Sequence, residues 1–136
     1  MNTLRLAQQL ILDEGLRFKP YRCTAGRLTI GVGRNLEDRG ITEEEALTLL
    51  DHDIRSFWSQ LVLALPWLVQ APEAVQEVLL NMCFNLGLAG LLQFRQTLGH
   101  LEAGRWLEAA EEMLRSKWAV QVGPRAGRLA ARLKEI

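Results

Sequence analysis

A chain of 136 residues that is 49% hydrophobic can bury one cooperative core, or two small lobes sharing a helix, without covalent staples. Its formal net charge of zero excludes the broad polyelectrolyte field that draws a protein to nucleic acid or to an anionic membrane. Two cysteines, Cys23 and Cys83, are too few for a disulfide framework and lack metal-site spacing, so free thiols are expected, with no metal or organic cofactor.

Asn2 or Thr3 can cap a first helix, and Gly15 can end it in the left-handed conformation. Leu4, Ala7, Leu10 and Ile11 recur there at helical spacing among Arg5, Asp13 and Glu14. That is not the apolar core of an export signal, so synthesis and folding in the cytoplasm without a signal peptide are expected. Between Tyr21 and Val32 the density of Thr, Ile, Val and Gly predicts a small hairpin turning at Thr24-Ala25-Gly26.

Thr42 to Glu45, reading TEEE, is a capping box, in which the Thr hydroxyl and the third Glu satisfy each other's backbone amides. A long helix is predicted from there, with an apolar face of Ala46, Leu49, Leu50, Ile54, Phe57, Trp58 and Leu61. Asp53 interrupts that face, and a carboxylate so placed needs a partner. The uncharged run from Ser56 to Pro72 is broken by Gln60, Pro66 and Gln70 and makes a poor membrane span.

Pro66 and Trp67 end the long helix. "APEAVQEVLLNMCFNLG" starts another, with Pro72 near its first turn, Gly87 as its stop and Val75, Val78, Leu79, Met82, Cys83 and Leu86 as its apolar face. It reads as the central helix of a bundle. Shorter helices are predicted around Phe94–Leu101, Arg105–Leu114 and Pro124–Leu133, separated by Gly104 and Gly123.

Charge is unevenly spread along these elements. Residues 37–53 hold seven acids against Arg39, and from Met113 onward six bases face only Glu135. Two solvated helix faces account for this, and a cationic rim for an anionic polymer is the alternative.

Asp13 and Glu14 close the first helix, where its dipole disfavours negative charge by about a few tenths of a kcal/mol, a local conflict of the kind found at functional sites. Alone, Glu14 also reads as a surface carboxylate, Cys23 as a small core residue and Thr29 as an ordinary strand residue. Spacing by itself leaves these alternatives open.

The segment resembles the signature of the phage-type lysozymes, glycoside hydrolase family 24, in which Glu is followed after eight residues by Asp or Cys and after five more by Thr. Here these are Glu14, Cys23 and Thr29, set in "DEGLR" and "TIGVG". "NMCFNLG" at 81–87, "F..TL" at 94–98, "RW.EAA" at 105–110 and "SKW...VGPRA" at 116–126 also resemble family segments, in the same order. The resemblance implies an α+β, mainly α, lysozyme-like domain over 1–136. A small β-hairpin lobe, about 14–45, would be joined by a long helix to a helical lobe, about 66–136 plus the N-terminal helix, with a cleft between. The link "RNLEDRG" is shorter than in the large phage lysozymes, so one cleft wall is expected to be reduced.

The function so implied is an endolysin muramidase, cutting the β-1,4 bond between N-acetylmuramic acid and N-acetylglucosamine of peptidoglycan and releasing phage from its host. Such a bond needs a proton for its leaving oxygen and a positioned water or nucleophile at the sugar. The resemblance makes Glu14 the acid and gives Cys23 and Thr29 the attacking water. It lets substrate approach the backbone at Gly33, lines the helical side of the cleft with Phe84, Asn85, Gly87 and Thr97, and sets Arg125 near Glu14. It also sets Arg34 opposite Asp53 as an ion pair pinning the β lobe to the long helix. Peptidoglycan is the expected partner of a monomer, with no nucleic acid, no stable membrane insertion, and access to the wall through a membrane pore. A non-catalytic peptidoglycan-binding module with the same fold is the alternative. A thiol hydrolase would need a histidine near Cys23, and His52 and His100 lie on predicted helices outside the matched segments.

Overall fold

The computed structural model describes residues 1–136, which divide into two compact units, Met1–Leu49 and Leu50–Ile136. In the first unit, α1 (Thr3–Glu14) starts where Asn2 Oδ1 accepts the Arg5 N–H at 2.9 Å and ends at Gly15, at φ 84°. Three antiparallel strands follow in the order β1 (Arg17–Arg22), β2 (Leu28–Gly31) and β3 (Arg34–Asn35). The hairpin therefore begins at Arg17, ahead of the predicted Tyr21, and gains a short third strand. The register is Arg17 to Gly31, Tyr21 to Thr29 and Arg22 to Leu28, with an irregularity between Arg17 and Tyr21. Pro20 sits there, and its missing N–H cannot feed the ladder.

The expected capping box opens α2 (Glu43–Ala64): the Thr42 N–H donates to Glu45 Oε1 at 2.9 Å and the Glu45 N–H to Thr42 Oγ1 at 3.1 Å. The unit boundary falls inside α2, and α1 belongs with the sheet, whereas the sequence reading counted α1 with the helical lobe. The local reason is that α1 runs through Gly15 straight into β1.

The second unit is helical. After α2 come a 3-10 turn, Pro66–Gln70, then α3 (Glu73–Leu91), α4 (Arg95–Glu102), α5 (Trp106–Leu114), α6 (Lys117–Val122) and α7 (Pro124–Lys134). α3 is the central element: Val75, Val78, Leu79, Met82 and Cys83 are fully buried, together with Leu61, Leu68, Leu101, Met113 and Leu133. Each buried side chain of this size contributes roughly 1.5–3 kcal/mol. Gly87 does not end α3 but breaks it, at φ 73° and ψ 164°, before one more turn to Leu91. α6 escaped the sequence reading although its cap is ordinary: Ser116 Oγ accepts the Ala119 N–H at 3.2 Å.

One helix, α3, is long and apolar enough to cross a membrane by length and composition. The sequence reading looked for such a span at Ser56–Pro72 instead. Much of the apolar surface of α3 is spent inside the second unit, the pattern of a core helix.

Candidate active site

Glu14 is the last residue of α1, and its side chain lies over the turn between β2 and β3. A Cβ built on Gly33 would stand 2.9 Å from Glu14 Oε2, 3.2 Å from Cδ and 3.3 Å from Cγ. Gly33 is also left-handed, at φ 66°, which only glycine adopts without strain. The left-handed backbone favours glycine here, and an added side chain would also displace the Glu14 carboxylate. The space beside it is taken by the acid, so Gly33 seats Glu14, where the sequence reading had it admitting substrate.

Cys23 follows β1 directly and is half-buried. Its N–H donates to the Arg27 carbonyl at 3.0 Å, and its own carbonyl accepts the Gly26 N–H at 2.8 Å, closing the hairpin turn. The backbone N–H groups of Arg27 and then Ala25 lower the pKa of the thiol below its ordinary value, and the Thr29 hydroxyl acts in the same direction against partial burial. Cys83 is the contrast, because burial in the helical core pushes its thiol up. Thr29, in β2, is only 3% exposed, and its hydroxyl donates to the same Arg27 carbonyl at 2.8 Å. One carbonyl therefore ties residues 23 and 29 together. With its single proton given to Arg27, the Thr29 oxygen keeps lone pairs to accept with, and rotation of the hydroxyl would give that proton to a thiolate.

Arg34, the first residue of β3, takes a different partner from the one expected. Its Nη2 lies 2.7 Å from Glu45 Oε2 and its Nη1 donates to Glu45 Oε1 at 2.9 Å, a two-point clamp, with a further bond from Nη1 to the Gly40 carbonyl at 3.3 Å. Glu45, not Asp53, is the ion-pair partner. Asp53 is exposed on α2 and so does not need a compensating charge. The Arg34 guanidinium and the Thr42 N–H together hold the Glu45 carboxyl down to about 2. A capping-box carboxylate with two oxygens can serve both.

In the helical unit the five residues expected to line a cleft fall into separate settings. Phe84 and Arg125 border a cavity of about 320 Å3 with Leu80 and Asn81, and Arg125 donates from Nε to Asn81 Oδ1 at 2.8 Å and from Nη2 to the Asn81 carbonyl at 3.1 Å. Thr97, buried, borders another cavity of about 340 Å3 with Gln96, Glu112 and Arg115. Asn85 borders neither. Its Oδ1 accepts the indole N–H of buried Trp118 at 2.9 Å, which fixes the amide. Sequence reasoning had Glu45 in the capping box and Trp118 in a family-like segment, but it missed their partners Arg34 and Asn85. The signals were present: a tryptophan in an otherwise helical "SKW" segment, whose N–H needs an acceptor when buried, and a capping-box Glu following an arginine-bearing turn.

Chemically, the first unit offers an exposed Glu14 side chain against a glycine turn, and a thiol whose pKa is lowered, beside a hydroxyl with lone pairs free to accept. Glycosidic hydrolysis requires a proton donor and a positioned water or nucleophile.

The family model described as phage lysozyme matches residues 12–135. The pre-baseplate central spike protein Gp5 of Enterobacteria phage T4 is 30% identical over 93% of this chain, which spans only 27% of that protein. The probable T4-type lysozyme 1 of Dictyostelium discoideum is 26% identical, over 91% of this chain and 90% of its own length. The SAR-endolysin of Escherichia phage Mu is 31% identical, over 85% and 67% respectively.

Proposed function

The chain belongs to the phage lysozyme family and is an enzyme of that class, and from this premise we propose that it is a muramidase acting on the β-1,4 bond between N-acetylmuramic acid and N-acetylglucosamine of peptidoglycan. Glu14 donates its proton to the glycosidic oxygen as the bond from that oxygen to the anomeric carbon breaks. A water held by Cys23 attacks the anomeric carbon and gives up a proton to the thiolate, and both side chains then re-equilibrate with solvent. Thr29, beneath Cys23, orients the sulfur and accepts from the same water.

The observation that carries this reading is the contact between Glu14 and Gly33, where a left-handed glycine leaves open the space that the Glu14 carboxylate occupies. The lowered thiol pKa supports Cys23 as acceptor, since a thiolate can do at Cys23 what a carboxylate does in an Asp-bearing relative of the signature. Of the residues expected to line the helical side of the cleft, Phe84 and Arg125 border one cavity and are the ones carried into this proposal as polymer contacts. In this account the enzyme acts on the cell wall, and lysis of a bacterial host is its setting.

Reducing ends released from purified peptidoglycan test the proposal. The wild-type chain releases them and Glu14→Gln does not. Binding of peptidoglycan without release by the wild type would make the chain a wall-binding module instead.

A further inference from the structure

Outside every residue assigned so far, Trp67, Gln70, Glu102 and Trp106 surround a concavity of about 430 Å3 on the helical unit. It forms where three element ends meet: the 3-10 turn Pro66–Gln70, the C-terminus of α4 and the start of α5. Both indoles are half-buried and pack partly against the core, so their orientations are fixed while part of each ring stays open. The chain turns under Trp106 at Gly104, at φ 77°, where a Cβ would stand 3.8 Å from the indole Cζ2.

The side-chain hydrogen-bonding groups around this concavity have no partners in the chain. Neither indole N–H is a buried unsatisfied atom, so each reaches solvent. The Gln70 amide and the Glu102 carboxylate are exposed and make no ion pair or side-chain bond. Fixed flat apolar rings beside a free amide and a free carboxylate match the two sides of a sugar, whose C–H face lies on an aromatic ring while its hydroxyls and acetamido group bond at the rim. The lining carries one carboxylate and neither Lys nor Arg, which favours a neutral sugar over an anionic lactyl or peptide group.

We propose that this concavity is a second saccharide-binding site, taking neutral N-acetylglucosamine residues of the glycan and keeping the enzyme on its polymer between cleavages. The identity of the polymer rests on the muramidase reading; the site itself does not depend on Glu14. A second contact with one strand raises the effective concentration of enzyme at the wall without altering the chemical step.

The test titrates Glu14→Gln protein, which cannot consume its ligand, with chitotetraose and follows the indole N–H resonances, assigned by Trp→Phe substitution. The Trp67 and Trp106 signals shift saturably, with a Kd of about 1 mM or tighter. Gln70→Ala with Glu102→Ala weakens those shifts about fivefold or more, the loss expected when rim contacts are removed. In an otherwise wild-type chain the same double variant slows release from insoluble sacculi and leaves turnover of short soluble oligosaccharides unchanged. Silent Trp67 and Trp106 signals, or equal affinity in the double variant, overturn the proposal. A wild-type chain that hydrolyses nothing while both indoles still bind overturns the muramidase reading and supports the site; an active chain with silent indoles overturns the site alone.

Discussion

Gly33→Ala isolates the geometry at the acid. Two effects follow from one added methyl. The backbone at φ 66° is left-handed, and holding alanine there costs about 1–2 kcal/mol, a fall in melting temperature of roughly 3–5 °C per kcal/mol for a domain of this size. The methyl would also stand 2.9 Å from Glu14 Oε2, so the carboxylate must retreat by about 0.5 Å to reach ordinary van der Waals separation. Misplacing a reacting group by about 1 Å can cost about a hundredfold in rate, so roughly a tenfold loss of turnover is expected here. Gly40→Ala is the matched control: its φ is 65° and the nearest atom to its Cβ is the Leu36 carbonyl oxygen at 3.9 Å. Both variants should lose similar stability by calorimetry, while only Gly33→Ala loses peptidoglycan turnover. Equal turnover in the two variants would refute the idea that Gly33 is there for Glu14.

Three further outcomes follow from the first unit. Cys23→Asp should retain at least about a tenth of the activity while Cys23→Ala loses most of it, the difference measuring the acceptor; an inactive Asp variant with a trapped glycosyl adduct by mass spectrometry would instead make Cys23 a nucleophile. Iodoacetamide should label Cys23 before Cys83, with a pH midpoint below that of an ordinary thiol, because the Arg27 and Ala25 amides favour the thiolate whereas burial raises Cys83; the reverse order on mapped peptides would contradict those hydrogen bonds. Glu45, held down to about 2 in the fold against an ordinary 4.5, adds stability that is complete above about pH 5 and is lost as pH falls toward 2. Glu45→Gln should therefore melt below wild type near neutrality, the two curves converging in acid, and Asp53→Asn should change little; parallel Glu45→Gln and wild-type curves would show that the pair with Arg34 is solvated.

Elements with a local cause could be read from sequence. The Asn2 cap, the Gly15 exit and the TEEE box depend on a few adjacent residues, and each stands where the residue types put it. The buried face of α3 followed from its period, because Val75, Val78, Leu79, Met82 and Cys83 recur on one side. The α+β class came from the family resemblance, and the predicted hairpin, capping box and central helix agree with it. Features set by through-space competition were not legible. Glu45 could have been a capping residue alone, and only the fold of the Arg34–Gly40 turn brings a guanidinium to its second oxygen. Asp53 attracted attention as a carboxylate on an apolar stripe, but a stripe matters only where it is covered, and Asp53 is exposed. Gly33 was recognised as special without its neighbour, since sequence reports that a side chain is missing and not that Glu14 lies beside the gap. At Glu14, Cys23 and Thr29 the residue types fitted surface, core and strand equally well. Their spacing in the family signature, and not their local propensity, singled them out.

The central claim, that Glu14 is the acid of a peptidoglycan hydrolase, is tested most directly by reducing-end release from purified peptidoglycan by wild type and Glu14→Gln, each shown to be folded by its melting curve. Gln keeps the shape of the side chain over Gly33 and removes only the transferable proton. Turnover should fall by about a hundredfold or more, the usual worth of a general acid, at an unchanged melting temperature. Near wild-type release by the folded Gln variant would contradict the assignment.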